Sequence, residues 1–132
     1  VNNHDQARAA YLSYANPVLE QNARGIVKSC CIKAGLPERF SQKVRVRPMR
    51  TNWVRIDEKH GEVWISENLS PFPPDCVAYA FLSEAATHVL GADATNDARE
   101  AFIETGLPTW KTAKKQLEDP DSAFRRQLGT RP

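Results

Sequence analysis

The sequence predicts an α+β fold in which a helical layer covers a small, mostly antiparallel sheet. Helix-forming segments occupy both ends of the 132-residue chain, and strand-like alternation of apolar and charged residues is confined to residues 43–65. A chain of this length is expected to fold as one domain. Within it we distinguish an amino-terminal helix or arm (1–16), a core (17–118) and a basic carboxy-terminal tail (119–132).

The amino-terminal part of the chain is predicted to form two helices. Residues 5–15 combine good helix propensity with a mixed apolar face, and the Asn16-Pro17 pair is predicted to interrupt them. Because proline suits the first turn of a helix, the second helix is predicted to begin at Pro17 and to continue to about residue 34. Gly35 is predicted to end it.

The strands are predicted from alternation and from turn residues. Residues 43–47 place Val44 and Val46 on one side and basic side chains on the other, which is typical of a half-buried strand with a charged outer face. Residues 53–56 and 62–65 flank a polar segment that ends in glycine, so this pair is predicted to form a β-hairpin.

Three helices are predicted in the rest of the core. Residues 75–90 give the clearest helical pattern, and Glu84 and His88 fall near the same face as the apolar residues of that helix. Two further helices are predicted over residues 96–105 and 109–117. No apolar run approaches the roughly 20 residues that span a bilayer, so no membrane span is predicted.

The net charge of +2 conceals a strong asymmetry. Residues 1–59 contain eleven Lys and Arg against five Asp and Glu, residues 60–110 contain one against eight, and residues 111–132 contain six against three. The basic segments are either solvated faces or surfaces that contact phosphate or an acidic partner. The arginines predicted to bind a partner are Arg45, Arg47, Arg50, Arg125 and Arg126.

The tryptophans and cysteines leave further alternatives open. Trp53, Trp64 and Trp110 are either core residues or, together with the arginines near residue 47, a stacking surface for single-stranded nucleic acid. The three cysteines are an odd number and two of them are adjacent, which argues against a disulfide framework and favours buried, structural thiols. A reducing intracellular compartment fits best: the cytoplasm, or an organelle matrix if a targeting segment preceded Val1.

Four segments, taken in order, resemble the YgjP-like branch of the SprT-type zinc metallopeptidases. They are residues 44–53, 61–69, 73–79 and 108–110. In that family a hairpin leads to a proline pair, the proline pair opens the helix that carries a His-Glu-x-x-His motif, and a Pro-x-Trp closes the domain. The resemblance covers about residues 17–118 and implies a zincin-like metallopeptidase core.

The departures from the family pattern fall on the catalytic residues. Both helix-borne histidines of the motif are replaced, by Ser83 and Thr87, and the window in which the third ligand is expected contains no histidine. A catalytic zinc needs three donor side chains and an open position for water, and hydroxyl groups are poor ligands at neutral pH. The general-base glutamate alone is kept, as Glu84.

His88 offers a replacement donor one residue beyond the second ligand position. Glu84 and His88 form an i,i+4 pair that is able to hold a metal together with Asp93 or Asp97, or to form a hydrogen bond with no metal at all. The cysteines lack a histidine placed by sequence to activate them, so nucleophilic catalysis is not predicted.

The sequence therefore predicts a catalytically inactive metallopeptidase-like domain without a cofactor. We expect it to serve as a structural, accessory interaction subunit, with protein partners in a larger assembly. Two alternatives remain open. One is a metal-dependent hydrolase with a site rebuilt around Glu84 and His88, and the other is a nucleic-acid-binding module that uses the basic amino-terminal half.

Overall fold

The computed structural model describes residues 3–49 and 52–118, which form a mixed α+β fold. Of the predicted features, Arg50 and the basic tail 119–132, with Arg125 and Arg126, lie outside the described residues. No helix in the described part is both long and apolar enough to cross a membrane. The elements in order are α1 (Asn3–Ala34), a 3-10 helix (Glu38–Ser41), β1 (Val44–Arg47), β2 (Val54–Asp57), β3 (Glu62–Ser66), a second 3-10 helix (Glu67–Leu69), α2 (Pro74–Leu90), α3 (Asn96–Gly106) and α4 (Trp110–Glu118).

The amino-terminal region is one helix of 32 residues, so the predicted break at Asn16-Pro17 is wrong. An interior proline removes one backbone hydrogen bond and costs a helix about 3 kcal/mol. That loss is offset here by packing, because α1 buries an apolar stripe against the core beyond the proline. The stripe consists of Leu19, Ala23, Val27, Cys30 and Cys31.

Gly35 ends α1 as predicted. Its φ of 72° lies in the left-handed region, which a residue without a Cβ adopts at little cost. The amide of Leu36 then donates to the carbonyl of Cys31 at 2.8 Å, which satisfies one of the carbonyls left open at the helix end.

The sheet has three strands in the order β1-β3-β2. The predicted hairpin is confirmed, because β2 and β3 pair antiparallel. The prediction of a mostly antiparallel sheet is wrong, since β1 pairs parallel with β3. β3 lies at the centre and has no fully exposed residue, with Val63, Ile65 and Ser66 buried, whereas β1 has two fully exposed residues and β2 has one.

Helix α2 lies at the centre of the domain and packs against α1, α3, α4 and β2. It begins with Pro74 in its first turn and ends at Gly91, which has a φ of 90°. Burial extends over more than one side of the helix, and its alanines let the neighbouring elements approach closely. The buried residues are Cys76, Val77, Ala78, Ala80, Phe81, Leu82, Ala85 and Ala86.

Each outer strand of the sheet is capped by a glutamate from a helix. The amide of Val46 in β1 donates to Oε2 of Glu20 in α1 at 3.1 Å. The amide of Ile56 in β2 donates to Oε2 of Glu84 in α2 at 3.3 Å. An unpaired edge amide otherwise needs water or another strand as its partner, so these carboxylates fix the two helices against the two sheet edges.

Gly106 is predicted to be required for the packing of α3 on α2. A Cβ at this position would lie 2.8 Å from Cδ1 of Leu82, which is itself fully buried. We expect Gly106→Ala to lower the free energy of unfolding by about 1–3 kcal/mol through overpacking. Gly25→Ala is the matched control, because a Cβ there meets nothing within 4 Å.

The control is expected to raise stability by about 0.5–1 kcal/mol, since alanine has the higher helix propensity. Urea denaturation of both variants measures the difference. Equal effects of the two substitutions would contradict the packing of Gly106 on Leu82.

Candidate functional site

The candidate residues of α2 form two rows that face different neighbours. Ser83 and Thr87 form the first row, from which the hydroxyl of Thr87 and the carbonyl of Ser83 contact α3. Glu84 and His88 form the second row, one turn apart on the side of the β2–β3 hairpin. All four side chains are partly buried. The fixed burial of the rest of α2 sets this orientation, because turning the helix would expose its apolar side chains.

Arg99 of α3 contacts the first row through the side chain of Thr87 and the main chain of Ser83. Its Nη1 donates to Oγ1 of Thr87 at 2.7 Å, and its Nη2 donates to the carbonyl oxygen of Ser83 at 3.1 Å. Thr95 orients the start of α3 by accepting a hydrogen bond from the amide of Ala98 at 3.1 Å. The guanidinium therefore lies against the helix face that the family resemblance assigns to the metal.

These residues do not fit a zinc ion. The Oγ1 atom of Thr87 accepts from Arg99, and hydroxyl and main-chain oxygens are poor zinc ligands compared with imidazole. A guanidinium stays charged throughout the accessible pH range and offers donors but no acceptor. Arg99 thus places a positive charge beside the first row, where a bound dication would need lone pairs from its ligands.

The second row is a chain of three side chains. Oε2 of Glu84 lies 3.5 Å from Nε2 of His88, and Nδ1 of His88 lies 3.0 Å from Oε1 of Glu58 in the hairpin turn. The i,i+4 pair predicted from the sequence is therefore formed, and Glu58 is a third member that the sequence did not indicate. The same Glu84 oxygen also accepts the amide of Ile56, so it links helix to strand.

The predicted oxygen ligands lie elsewhere. Asp93 is exposed in the turn after α2, and Asp97 is exposed in the first turn of α3. Within residues 3–49 and 52–118, no group of three or more His, Cys, Asp and Glu side chains is arranged to hold a metal ion.

Two clefts adjoin the second row. A small one of about 180 Å³ lies between α2 and the start of β2, and Trp53, Tyr79, Ser83 and Glu84 contribute to its walls. A larger one of about 510 Å³ lies between the first 3-10 helix and the hairpin. Its walls carry charges of both signs, from Arg39, Lys43, Asp57, Glu58 and Glu62. The larger cleft is not lined by Glu84 or His88, so the candidate catalytic groups do not face it.

The predicted stacking surface is only partly formed. Trp53 packs edge-on against Phe72 at 5.5 Å, and Trp110 is buried and stacks on Tyr79 at 6.4 Å. These two tryptophans are therefore core residues. Trp64 is the one of the three that lies among arginines, namely Arg45, Arg47 and Arg55. Arg55 was not part of the predicted surface.

The cysteines are buried and free, as predicted. Burial raises the pKa of Cys30 to about 12, with a further increase from the neighbouring thiol, and burial raises the pKa of Cys31 to about 11. Cys76 lies 3.2 Å from Oε1 of Gln116 inside the α2–α4 contact. Thiols with raised pKa values are poor nucleophiles at neutral pH, so Cys30 and Cys31 are poorly suited to nucleophilic catalysis. All three cysteines belong to the buried core.

Comparisons with protein-family models, curated proteins and solved structures find no significant match to the chain. The resemblance to SprT-type metallopeptidases therefore stays a prediction from the motifs in residues 44–110.

The sequence did not indicate Arg99 as a site residue, because it lies 12 residues from Thr87 on another helix. One signal was available, since Arg99 is the single Lys or Arg among residues 60–110.

The contact between Arg99 and Thr87 is expected to stabilise the domain measurably. Arg99→Met keeps most of the aliphatic stem and removes the donors, and Thr87→Val removes the acceptor while keeping the shape. We expect Arg99→Met to lower the free energy of unfolding by about 1–3 kcal/mol, as for hydrogen bonds that involve a charged group. Arg24→Met, at an exposed position of α1, is the control and should change stability by less than about 0.5 kcal/mol.

A double-mutant cycle isolates the pair. The double variant should lose about 1 kcal/mol less than the sum of the single losses, because each single variant already breaks the same bond. Additive losses in thermal or urea denaturation would show that the two side chains do not interact.

Proposed function

We propose that this chain is a metallopeptidase-like domain that does not catalyse and that serves as a structural, accessory interaction subunit of a larger assembly. The observation that carries the proposal is the position of Arg99. Its guanidinium is hydrogen-bonded to Thr87 and to the backbone of Ser83, at the two positions assigned to zinc-binding histidines. An enzyme of this class would need a metal ion on the same helix face.

Electrostatics make the two occupants mutually exclusive. A dication within a few ångströms of a partly buried guanidinium is opposed by several kcal/mol of repulsion. Arg99 also uses the hydroxyl of Thr87, so the group is held in place rather than free to move aside. Arg99 thus places a fixed cation on this helix face, and its role there is structural.

Glu84 supports the same proposal. A general base needs a lone pair directed at a bound water, but Oε2 of Glu84 is engaged by the amide of Ile56 and lies beside His88. The carboxylate joins α2 to the edge of the sheet. This contact gives Glu84 a structural role that needs no metal ion.

The competing function is a metal-dependent hydrolase rebuilt around Glu84 and His88. The observation that favours it is the row Glu58–His88–Glu84, which brings two carboxylates to one imidazole. The two functions differ in what they require of Glu84. The hydrolase needs its negative charge, whereas the structural role needs only an oxygen that accepts a hydrogen bond.

Glu84→Gln separates these functions. The amide oxygen of glutamine still accepts from Ile56, so we expect the variant to fold and to melt within a few degrees of wild type. Hydrolysis of a denatured protein substrate such as casein, with added zinc, should stay at background for both proteins. Glu118→Gln, at an exposed position of α4, controls for the loss of charge. Metal-dependent hydrolysis by wild type that Glu84→Gln abolishes would establish the hydrolase instead.

Restoring the histidines tests the assignment of the helix face. Ser83→His with Thr87→His places two imidazoles one turn apart on α2, and adding Arg99→Ala removes the opposing charge. We expect the triple variant to bind zinc at least about tenfold more tightly than the double variant, as measured by competition with a colorimetric chelator.

The wild-type protein is expected to retain only substoichiometric zinc in elemental analysis.

The control is a histidine pair at Arg24 and Lys28, which are exposed and four residues apart on α1. Such a pair measures the zinc affinity of two histidines on a surface helix. If the triple variant binds zinc no better than this control, the alignment of α2 with the metallopeptidase helix is wrong.

A further inference from the structure

The outer face of the sheet carries a compact group of cationic and aromatic side chains, which we call the arginine face. It consists of Arg45 and Arg47 of β1, Trp64 of β3 and Arg55 of β2. Trp64 is paired with Arg45 on one side and with Arg55 on the other, so these three side chains form a row across all three strands. Arg47 lies two residues further along β1 and therefore points the same way.

The group is open to solvent on a face whose opposite side is the core. All three arginines are exposed, and Trp64 is partly buried. The alternate residues of the same strands, such as Val44, are buried. The charged outer side of residues 43–47 predicted from the sequence is confirmed, and the structure adds β2 and β3 to it.

The side chains of the arginine face hold each other in position. The Cζ atom of Arg47 lies 4.6 Å from the centroid of the Trp64 ring, and that of Arg55 lies 5.7 Å away. The indole nitrogen of Trp64 donates to Oε1 of Glu62 at 2.8 Å, which fixes the ring. Cation–π attraction of this kind holds guanidinium groups close to an aromatic ring.

Nearby carboxylates neutralise the arginines incompletely. Glu62 lies 4.0 Å from Arg47, and Glu20 lies 3.8 Å from Arg45. Both ion pairs are long, and half of each arginine side chain is exposed, with values of 47% and 50%. Exposed pairs of this kind contribute little stability, so the guanidinium groups are able to exchange these partners for a stronger anion.

The dimensions of the face limit what it binds. Three strands of about four residues present a surface of about 13 Å by 14 Å, or roughly 180 Å². A stable protein partner buries roughly 800 Å² per side, which this face alone does not offer. Addition of a partner strand at the sheet edges is opposed by the carboxylates of Glu20 and Glu84, which already bind edge amides.

We propose that the arginine face binds single-stranded nucleic acid, with phosphates held by the arginines and a base stacked on the Trp64 ring in place of a guanidinium group. Guanidinium groups match phosphate oxygens with two parallel hydrogen bonds, and all three cations here are arginine rather than lysine. A flat indole among cations is suited to a base and offers nothing specific to a carboxylate side chain. Nucleic acid is thereby the partner class of the accessory subunit proposed above, and the inference rests on that function.

The test uses the full chain and fluorescence anisotropy of labelled 12-nucleotide oligouridylate and oligothymidylate. Binding is expected for both, because stacking and phosphate contacts do not read the 2′-hydroxyl. With about three phosphates neutralised, the logarithm of the association constant should fall with the logarithm of salt concentration with a slope of about −2. Trp64→Leu should weaken binding about tenfold with little change in this slope.

Arginine substitutions should have the complementary effect. Arg45→Gln, Arg47→Gln and Arg55→Gln, combined in one variant, should bring the salt slope close to zero. The matched control removes three exposed lysines of the helices, Lys33, Lys111 and Lys115, by substitution with glutamine. Its affinity should change by no more than about twofold, since the net charge falls equally but no phosphate contact is lost. Equal losses in both variants would overturn a localised site.

Two further measurements test the location of the site and the chemical class of its partner. Ultraviolet cross-linking of wild type to 4-thiouridine oligonucleotide needs no variant to fold, and cross-links are expected in the peptide that contains Trp64. Cross-links confined to other peptides would overturn the site. Polyglutamate of equal length should compete poorly; competition as strong as that of unlabelled oligonucleotide, lost in the same variants, would assign the face to an acidic protein.

Whether the oligonucleotide stays intact or is cleaved distinguishes failure of the nucleic-acid site from failure of the proposed non-catalytic function. Absence of binding with intact oligonucleotide would overturn the arginine face as a nucleic-acid site and leave the non-catalytic role standing. Cleavage of the oligonucleotide that a chelator stops and that Glu84→Gln abolishes would overturn the non-catalytic role itself.

Discussion

The burial of α2 among the sheet and three helices is the constraint on which the rest of the structure depends. Phe81, Leu82 and Ala85 are fully enclosed, so the helix has one rotational setting. That setting turns Thr87 towards α3 and Glu84 and His88 towards the hairpin. Every contact of the candidate site follows from it, including those made by residues that lie far away in sequence.

Local patterns predicted most elements but not their long-range pairings. Helix ends at Gly35 and Gly91, the hairpin and α2 follow from backbone preference and periodicity, which are properties of short segments. The continuity of α1 through Pro17 and the parallel pairing of β1 depend instead on which distant residues supply a packing surface. In the site, the Glu84–His88 pair was predictable from spacing along one helix, whereas Arg99 required knowledge of how α3 packs on α2.

A guanidinium held against a helix face differs from a bound metal ion in its chemical consequences. It is covalently part of the chain, so it neither dissociates nor responds to metal supply, and it has no open coordination position for water. The positive charge that α3 and α2 enclose therefore carries no Lewis acidity. The exposed cations of the sheet lie on a different surface from Arg99.

The two glutamates at the sheet edges also bear on self-association. Glu20 and Glu84 each bind the amide of the third residue of an outer strand, Val46 and Ile56. A sheet of three strands is far too small to close into a barrel, which is how larger sheets remove their edges. Here two side chains achieve part of that effect, so copies of the domain lack an easy route to edge-to-edge stacking. The domain is in this way protected against aggregation through its sheet.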